Sequence, residues 1–421
     1  LTQGGELYSM GTNTFGQLGY TGGGMEKVPR MVPAFSQREV AAVACGQYHS
    51  VCVTNGGEVF SWGRGTEGQL GLGNAISVPV PRFVKALSGK FVDAIAAGWN
   101  VSCAVTAMGE LMVWGDNSVG QLGIGKGKGR QVTPVQVHLP ASCSENPHPL
   151  AVSVDSGWGH TVAVSLDGAA FSWGFGGRGQ LGHGDRESCS SARLIDGLQG
   201  VDVKRVCCGA HFSVALTSTG EVYVWGSGSH HRLGLGDSND RLEPTLTPLK
   251  GKEVTQIAVC ETKVLAFAPI KVVAITPASG PRQGGTMLRI TGDGFFQADR
   301  VKASLDFSKF LGDHPGHLPA EVRLARAFFD EATGEVYMEA PRVDAPATCV
   351  LELSFDNGET YTSSGCTFTF YEPPTLSSVY PAFRVTEGEI LLAVQGEGLD
   401  EAGSHAVVRV TREREKEAAE E

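Results

Sequence analysis

The feature that most constrains this chain is a short text that returns in phase. It reads Gly-Glu-Val-Phe-Ser-Trp-Gly, a glycine-rich turn, then Gly-Gln-Leu-Gly, from Gly57 to Gly71. Copies stand at Gly5–Gly19, Gly109–Gly123 and Gly168–Gly182, with a worn one at Gly220–Gly234. The glycines that close the aromatic stretch are Gly11, Gly63, Gly115, Gly174 and Gly226, spaced by 52, 52, 59 and 52 residues. A fixed period of this length, filled with short β-prone runs, points to propeller blades or solenoid rungs. Within one unit, Val59–Trp62, Phe91–Ala97 and Val101–Val105 read as strands. Val78-Pro79-Val80-Pro81 suits an edge or a loop, because proline cannot donate to a central ladder. That gives roughly four strands per unit, the number a blade requires.

A second signature accompanies the first. It is Gly-x-x-His-Ser/Thr, at Gly46–Ser50 and Gly157–Thr161, with variants at Gly98–Ser102 and Gly209–Ser213. Cys260–Val264 aligns with it and has lost both the Gly and the His. Glycine there suits close backbone approach, and His with Ser/Thr can satisfy buried backbone groups where strands converge. The paired signatures resemble the repeats of the regulator of chromosome condensation family over about residues 1–268. The resemblance implies a β-propeller, usually of seven blades, of which five repeats are visible here.

After Phe267-Ala-Pro-Ile270 the pattern changes. Val272–Thr286 runs into Met287-Leu-Arg-Ile-Thr-Gly-Asp-Gly-Phe295, and period-two alternation follows in Val336–Pro341 and Val350–Tyr361. Asn357-Gly358 is a strong hairpin signal. This order is similar to an IPT/TIG domain, an immunoglobulin-like sandwich, over residues 272–371. Pro373-Pro374 reads as a stiff linker, and residues 375–421 repeat the opening of such a domain before a charged tail from Arg412. The expected fold is therefore all-β: a propeller over 1–268, one sandwich over 272–371 and the start of a second over 375–421. Leu1-Thr2 aligns with the end of a repeat strand, Val53-Thr54. The expectation is that the natural chain extends beyond both ends.

Composition narrows the function. The chain has 421 residues, 34 basic against 45 acidic, for a net charge of −11. Phosphate backbones require a basic face, so nucleic acid is not the expected partner. No apolar run is long enough to span a bilayer, the first residues carry no signal-type run, and no membrane partner is expected. Ten cysteines occur without metal-type CxxC pairs, most in strand-like contexts such as Cys52, Cys103, Cys207 and Cys208. They read as small apolar fillers in a reducing, cytoplasmic setting. The 57 glycines, about twice ordinary usage, are explained by the repeats.

Several patterns suggest chemistry and are outweighed. Gly63-x-Gly65-x-x-Gly68 and Gly174-x-Gly176-x-x-Gly179 fit a dinucleotide fingerprint, yet no helix or βαβ unit follows. Lys126-Gly-Lys-Gly-Arg130 lacks the Gly-Lys-Ser/Thr phosphate cradle and reads as a solvated loop. His230-His231 could ligate a metal, but no ligand cluster lies at the right spacing. Asp185 and Asp237 follow Leu-Gly-x-Gly turns and suit Asx-turn roles. His49-Ser50 and His160-Thr161 suggest nucleophile–base pairs, but adjacent strand residues point to opposite faces. No catalytic residue, cofactor or metal ligand is expected. The unit after Gly115 is seven residues longer than the others, and Pro140–Pro149 reads as a turn-rich insertion that could meet a partner.

The expected function is a non-catalytic protein–protein interaction scaffold, with a place in a large cytoskeletal or ciliary assembly. The resemblance also implies a second reading, since one family member is a nucleotide exchange factor for a small GTPase. Another is a plant UV-B photoreceptor with Gly-Trp-Arg-His-Thr motifs. Here Gly157-Trp158-Gly159-His160-Thr161 lacks the Arg, and Trp99 is the other such Trp. Trp62, Trp114, Trp173 and Trp225 sit in the aromatic strand and are explained by packing.

Overall fold

The structure is a computed structural model and describes residues 1–22, 24–143, 146–249, 251–295, 301–307, 322–355, 360–373, 375–380 and 393–397. Two compact units divide the chain, Leu1–Ala268 and Pro269–Glu421.

In the first unit β1 (Tyr8–Thr12) and β2 (Met25–Met31) form a two-stranded sheet. Four four-stranded antiparallel meanders follow. The first blade is β3 (Val40–Cys45), β4 (His49–Thr54), β5 (Val59–Gly63) and β6 (Val78–Phe83). The second is β7 (Val92–Ala97), β8 (Val101–Thr106), β9 (Leu111–Gly115) and β10 (Gln131–Val137). The third is β11 (Ala151–Ser156), β12 (His160–Ser165), β13 (Ala170–Gly174) and β14 (Cys189–Leu194). The fourth is β15 (Val203–Cys208), β16 (Phe212–Thr217), β17 (Val222–Gly226) and β18 (Arg241–Leu246). A second pair, β19 (Gln256–Val259) and β20 (Val264–Phe267), closes the unit.

Position within a blade follows composition. Every residue of β4, β8, β12 and β16 is buried, because these strands are flanked in their own sheet and sandwiched between neighbouring blades. The proline-bearing strands β6, β10 and β18 lie at the sheet edge, where a missing N–H costs no ladder bond. The indoles of the third strands fill the seams. Trp114 packs with Val51, Val53 and Val59 of the preceding blade, Trp173 with Val101, Val105 and Val113, and Trp225 with Val162 and Val164. An indole contributes roughly 200 Å², so each seam gains roughly 5 kcal/mol at most from that one ring. Gly123 shows how tight the fit is. Its φ is +68°, and a Cβ there would lie 2.7 Å from Trp173 Nε1.

The long unit carries its extra residues between β10 and β11, where Pro140–Pro149 was expected to insert. Ser142 Oγ and Asn146 Nδ2 donate to Asp167 Oδ2 at 2.5 and 2.8 Å, which ties the insertion to the turn after β12. Burial is the largest single influence on the Asp167 carboxyl and pushes it up, but the hydrogen bonds from Ser142, Ser165 and Asn146 together outweigh it and bring the carboxyl down to about 2.

In the second unit, eight of the strands among the described residues make one sheet: β21 (Lys271–Thr276), β22 (Ser279–Pro281), β23 (Met287–Asp293), β24 (Val301–Asp306), β25 (Val322–Asp330), β26 (Glu335–Glu339), β27 (Ala347–Ser354) and β28 (Thr367–Tyr371). Their order is β21-β23-β26-β25-β24-β27-β28-β22. The nine-residue β25 makes the corner. Val322–Ala327 pairs with β24 and Phe328–Asp330 with β26. Alternation sends Leu288 and Ile290 inward from β23 and Phe368 and Phe370 inward from β28. Leu305, Val336, Met338 and Leu351 complete this core. A last antiparallel pair joins β29 (Thr375–Tyr380) to β30 (Ala393–Glu397). The Asn357-Gly358 signal, the remainder of the second sandwich opening and the Arg412 tail lie outside the described residues.

Candidate functional site at the mouth of the propeller channel

The first strand of each blade lines a channel of about 830 Å³. Its mouth is built by the turns that follow those strands, Gly46–Tyr48, Gly98–Asn100, Gly157–Gly159, Gly209–His211 and Cys260–Thr262. Backbone hydrogen bonds run from turn to turn around it. Gln47 N donates to Trp99 O at 3.3 Å, Trp99 N to Gly157 O at 3.1 Å, Trp158 N to Ala210 O at 3.2 Å and Ala210 N to Glu261 O at 3.2 Å. A second tier of turns leans on the first. Arg64 N donates to Tyr48 O, Asp116 N to Asn100 O, Phe175 N to Gly159 O and Ser227 N to His211 O, at 2.7–2.9 Å. Glycine is required at this convergence, since a Cβ on Gly157 would lie 2.3 Å from Gly209 O and 2.4 Å from His160 Cε1.

Beneath the mouth, the repeated motif acts as a staple between blades. The carbonyl of each Gly-Gln-Leu-Gly glutamine accepts two bonds from the next blade. Gln17 O takes Trp62 Nε1 at 2.9 Å and Ser50 Oγ at 2.8 Å. Gln69 O takes Trp114 Nε1 at 2.9 Å and Ser102 Oγ at 2.8 Å. Gln121 O takes Trp173 Nε1 at 3.0 Å and Thr161 Oγ1 at 2.9 Å. Gln180 O takes Trp225 Nε1 and Ser213 Oγ, both at 2.9 Å.

The histidines extend the staple one blade further. His49 Nε2 lies 2.8 Å from Ser102 Oγ and His160 Nε2 3.0 Å from Ser213 Oγ. The sequence argument that His49 and Ser50 diverge holds, since Ser50 turns to Gln17 O. It missed the contact between blades, because a local motif does not reveal which residue 53 positions away will face it. These pairs have the elements of Ser–His chemistry but the wrong proton. Each serine hydroxyl donates to a glutamine carbonyl, so the ring Nε2–H donates to the serine and cannot accept its proton. The Nδ1 atoms of His49 and His160 are buried and have no hydrogen-bond partner to orient a base. Burial lowers His49 to about 4; burial, with the field of His211 second, lowers His160 to about 3. Both rings are neutral at pH 7.

The other sequence candidates are placed as follows. In Gly63–Gly68 the turn amides that could cradle a phosphate are committed. Arg64 N bonds Tyr48 O, Gly65 N bonds Ser77 Oγ, and Glu67 N bonds Gln69 Oε1. Asp185 and Asp237 accept from Glu187 N and Asn239 N at 2.9 Å, the expected Asx turns. His230 and His231 lie exposed on the fourth blade's turn, and no group of three or more metal-ligating side chains occurs among the described residues. Arg130 of the basic loop reaches Thr66 O at 3.0 Å. Cys52, Cys103 and Cys207 are buried fillers, while Cys208 is partly exposed and its Sγ donates to Asp155 O at 3.4 Å. Asp155 itself links β11 to β15 by accepting Cys208 N at 2.7 Å, and burial raises its carboxyl to about 6.

The solvent-facing side chains at the mouth include aromatic and cationic groups together with the carboxylate of Glu261. Phe15 and Tyr48 lie 5.1 Å apart, with the Arg64 guanidinium 5.6 Å from one ring and 5.8 Å from the other. Trp158, 40% exposed, meets Trp99, Phe175 and His211 edge-on at 6.0, 5.9 and 5.3 Å. Such a surface can bind; it presents no paired acid and base at reacting distance.

Comparison with known proteins agrees with this architecture. The human E3 ubiquitin-protein ligase HERC2 is 35% identical over 270 residues, 62% of this chain and 6% of that protein. The ultraviolet-B receptor UVR8 of Arabidopsis thaliana is 34% identical over 239 residues, 57% of this chain and 53% of the receptor. This chain thus spans a small part of one relative and about half of the other. Among solved structures, human WBSCR16 aligns with a TM-score of 0.56 at 28% identity, over 62% of this chain and 67% of that one. Prp20p of Saccharomyces cerevisiae aligns at 0.51 and 25%, over 62% and 63%. Residues 1–266 match the RCC1-like domain, and the chain belongs to that family of β-propellers.

Proposed function

We propose that this chain is a protein-interaction platform that binds partners through the channel-mouth face of its propeller and carries out no reaction of its own. The observation that carries this reading is the division of the motif residues. The His, Ser/Thr, Trp and Gln side chains are consumed in buried staples, while the turns above them present aromatic rings and arginines on a frame of backbone hydrogen bonds. Aromatic residues and arginine are the side chains that most often anchor interfaces. The region over 272–371 joins this reading as an IPT/TIG-like spacer, supported by its eight-stranded sheet around one hydrophobic core and its Gly292-x-Gly294-Phe295 sequence.

A photo-crosslinking residue placed at Gln47 or Asn100 tests the proposal against one at Asn55 or Thr219. The reading expects discrete partner adducts from the first pair and none specific to the second. The reverse pattern would contradict it.

A second reading has one specific support. Prp20p, similar in fold and sequence, was described with binding to Gsp1p and histones. The chain would then regulate a small GTPase. Acceleration of labelled GDP release from one member of a GTPase panel would favour it, and flat traces across the panel would remove it.

A further inference from the structure

In the second unit, β25 parts from β26 and leaves a fork. Phe328–Asp330 pairs with Glu335–Tyr337. Beyond that point, among the described residues, Val322–Ala327 pairs with β24 alone, and Met338 and Glu339 pair with β23 alone. Arg323 Nη1 ties the far end by donating to Arg342 O at 2.7 Å. Between the two ties lies an open cavity of about 450 Å³, lined by Met287, Arg326, Phe328, Tyr337, Met338 and Glu339.

The lining is apolar where a solvated sheet face would be polar. Alternation puts Leu324, Arg326 and Phe328 on the outward face of β25. Leu324 is 61% exposed, Phe328 66% and Met287, on β23, 60%. Two thioethers and two aromatic rings surround the space, and sulfur–ring contacts favour an aromatic guest. The rim is charged on both arms. Tyr337 Oη donates to Glu335 Oε2 at 2.7 Å and Arg289 lies 3.5 Å from Glu335, so these three groups satisfy one another. Arg326 on β25 and Glu339 on β26 do not: neither makes a side-chain hydrogen bond or an ion pair among the described residues. Arg326 also stands opposite Lys302 of β24, a like-charge pair that a carboxylate would relieve.

We propose that this fork is a docking site for an extended segment of a partner protein in which an aromatic residue stands between a basic and an acidic one. The aromatic side chain fills the cavity, the base meets Glu339 and the acid meets Arg326. Charge complementarity selects this occupant, because two opposite charges stand unpaired on the two arms around one apolar space. An extended chain presents every second residue on one side, so a base, an aromatic residue and an acid at alternate positions face the fork together. The inference goes beyond the platform reading and gives the module taken as a spacer a partner contact of its own.

The test is fluorescence anisotropy on the full chain, with a fluorescein-labelled peptide centred on Lys-Thr-Phe-Thr-Glu. Saturable binding is expected. Phe328→Ala, and separately an Ala-for-Phe peptide, should each lose at least about tenfold in affinity. Arg326→Glu should weaken binding of this peptide and prefer one centred on Lys-Thr-Phe-Thr-Lys, a reversal that loss of folding cannot produce. Absence of binding, equal binding by Phe328→Ala, or an unchanged preference in Arg326→Glu would each overturn the proposal. Sedimentation of the chain alone covers the other occupant: a dimer that Phe328→Ala dissolves would assign the fork to a second copy and overturn it as well. Any of these failures would leave the crosslinks at Gln47 and Asn100 standing, because those residues belong to the first unit.

Discussion

Each glutamine carbonyl in a Gly-Gln-Leu-Gly turn accepts an indole N–H and a hydroxyl from the following blade, so one backbone atom fixes two side chains across a seam. Trp173→Phe keeps an aromatic ring but loses part of the indole's volume and the Nε1 donor, and leaves Gln121 O with Thr161 alone. It should destabilise the chain by about 1–3 kcal/mol in urea unfolding, whereas Trp158→Phe, at the exposed mouth, should stay within about 0.5 kcal/mol. The buried histidines set a pH dependence. Their folded pKa values of about 4 and about 3 lie below the ordinary 6.5, so their contribution is complete above pH 6.5 and is lost as pH falls towards those values. Each removes about 1.4 kcal/mol per pH unit in that window. Asp155, raised to about 6, opposes them: its contribution is present below pH 4 and lost as pH rises through 6. His183, lowered to about 4 chiefly by burial, adds to the same trend as the other two histidines. The histidines together outweigh one aspartate, so urea midpoints should fall from pH 7 to pH 5, and His49→Gln with His160→Gln should reduce the slope, with His183 sustaining the remainder.

At the level of elements, the insertion before β11 is tethered by Asp167. Asp167→Ala should speed proteolytic cleavage within 140–149 with little change in the global urea midpoint, read by mass spectrometry of the fragments; unchanged cleavage would show that the tether does not restrain the loop. Blades were legible in the sequence because the aromatic strand, the glycine that ends it and the proline-bearing edge recur in phase, and each has a local physical cause. The seams were less legible. That Gln121 O would meet Trp173, or His160 would meet Ser213, depends on how one blade lies on the next, which no window within one repeat encodes. His230-His231 stood out in the sequence as a departure from the repeat and was weighed as a metal ligand. In the second unit, alternation in Val336–Pro341 and Val350–Tyr361 signalled β26 and β27. The switch of β25 between partners had no comparable mark.

At the scale of the molecule, the account assigns the repeated residues to cohesion and the variable turns to recognition. Repetition supports this, because every blade carries the staple while the exposed groups above it differ: Tyr48, Trp99, Trp158 and His211 occupy related turns. Hydrogen–deuterium exchange of the full chain, with and without a partner recovered through the crosslinks, tests this assignment most directly. The account predicts protection in the turns at 47–48, 99–100, 158–159, 175–178, 210–211 and 230–232. Protection confined to the opposite turns at 55–57, 107–109, 166–168 and 218–220, with the channel mouth unchanged, would contradict it.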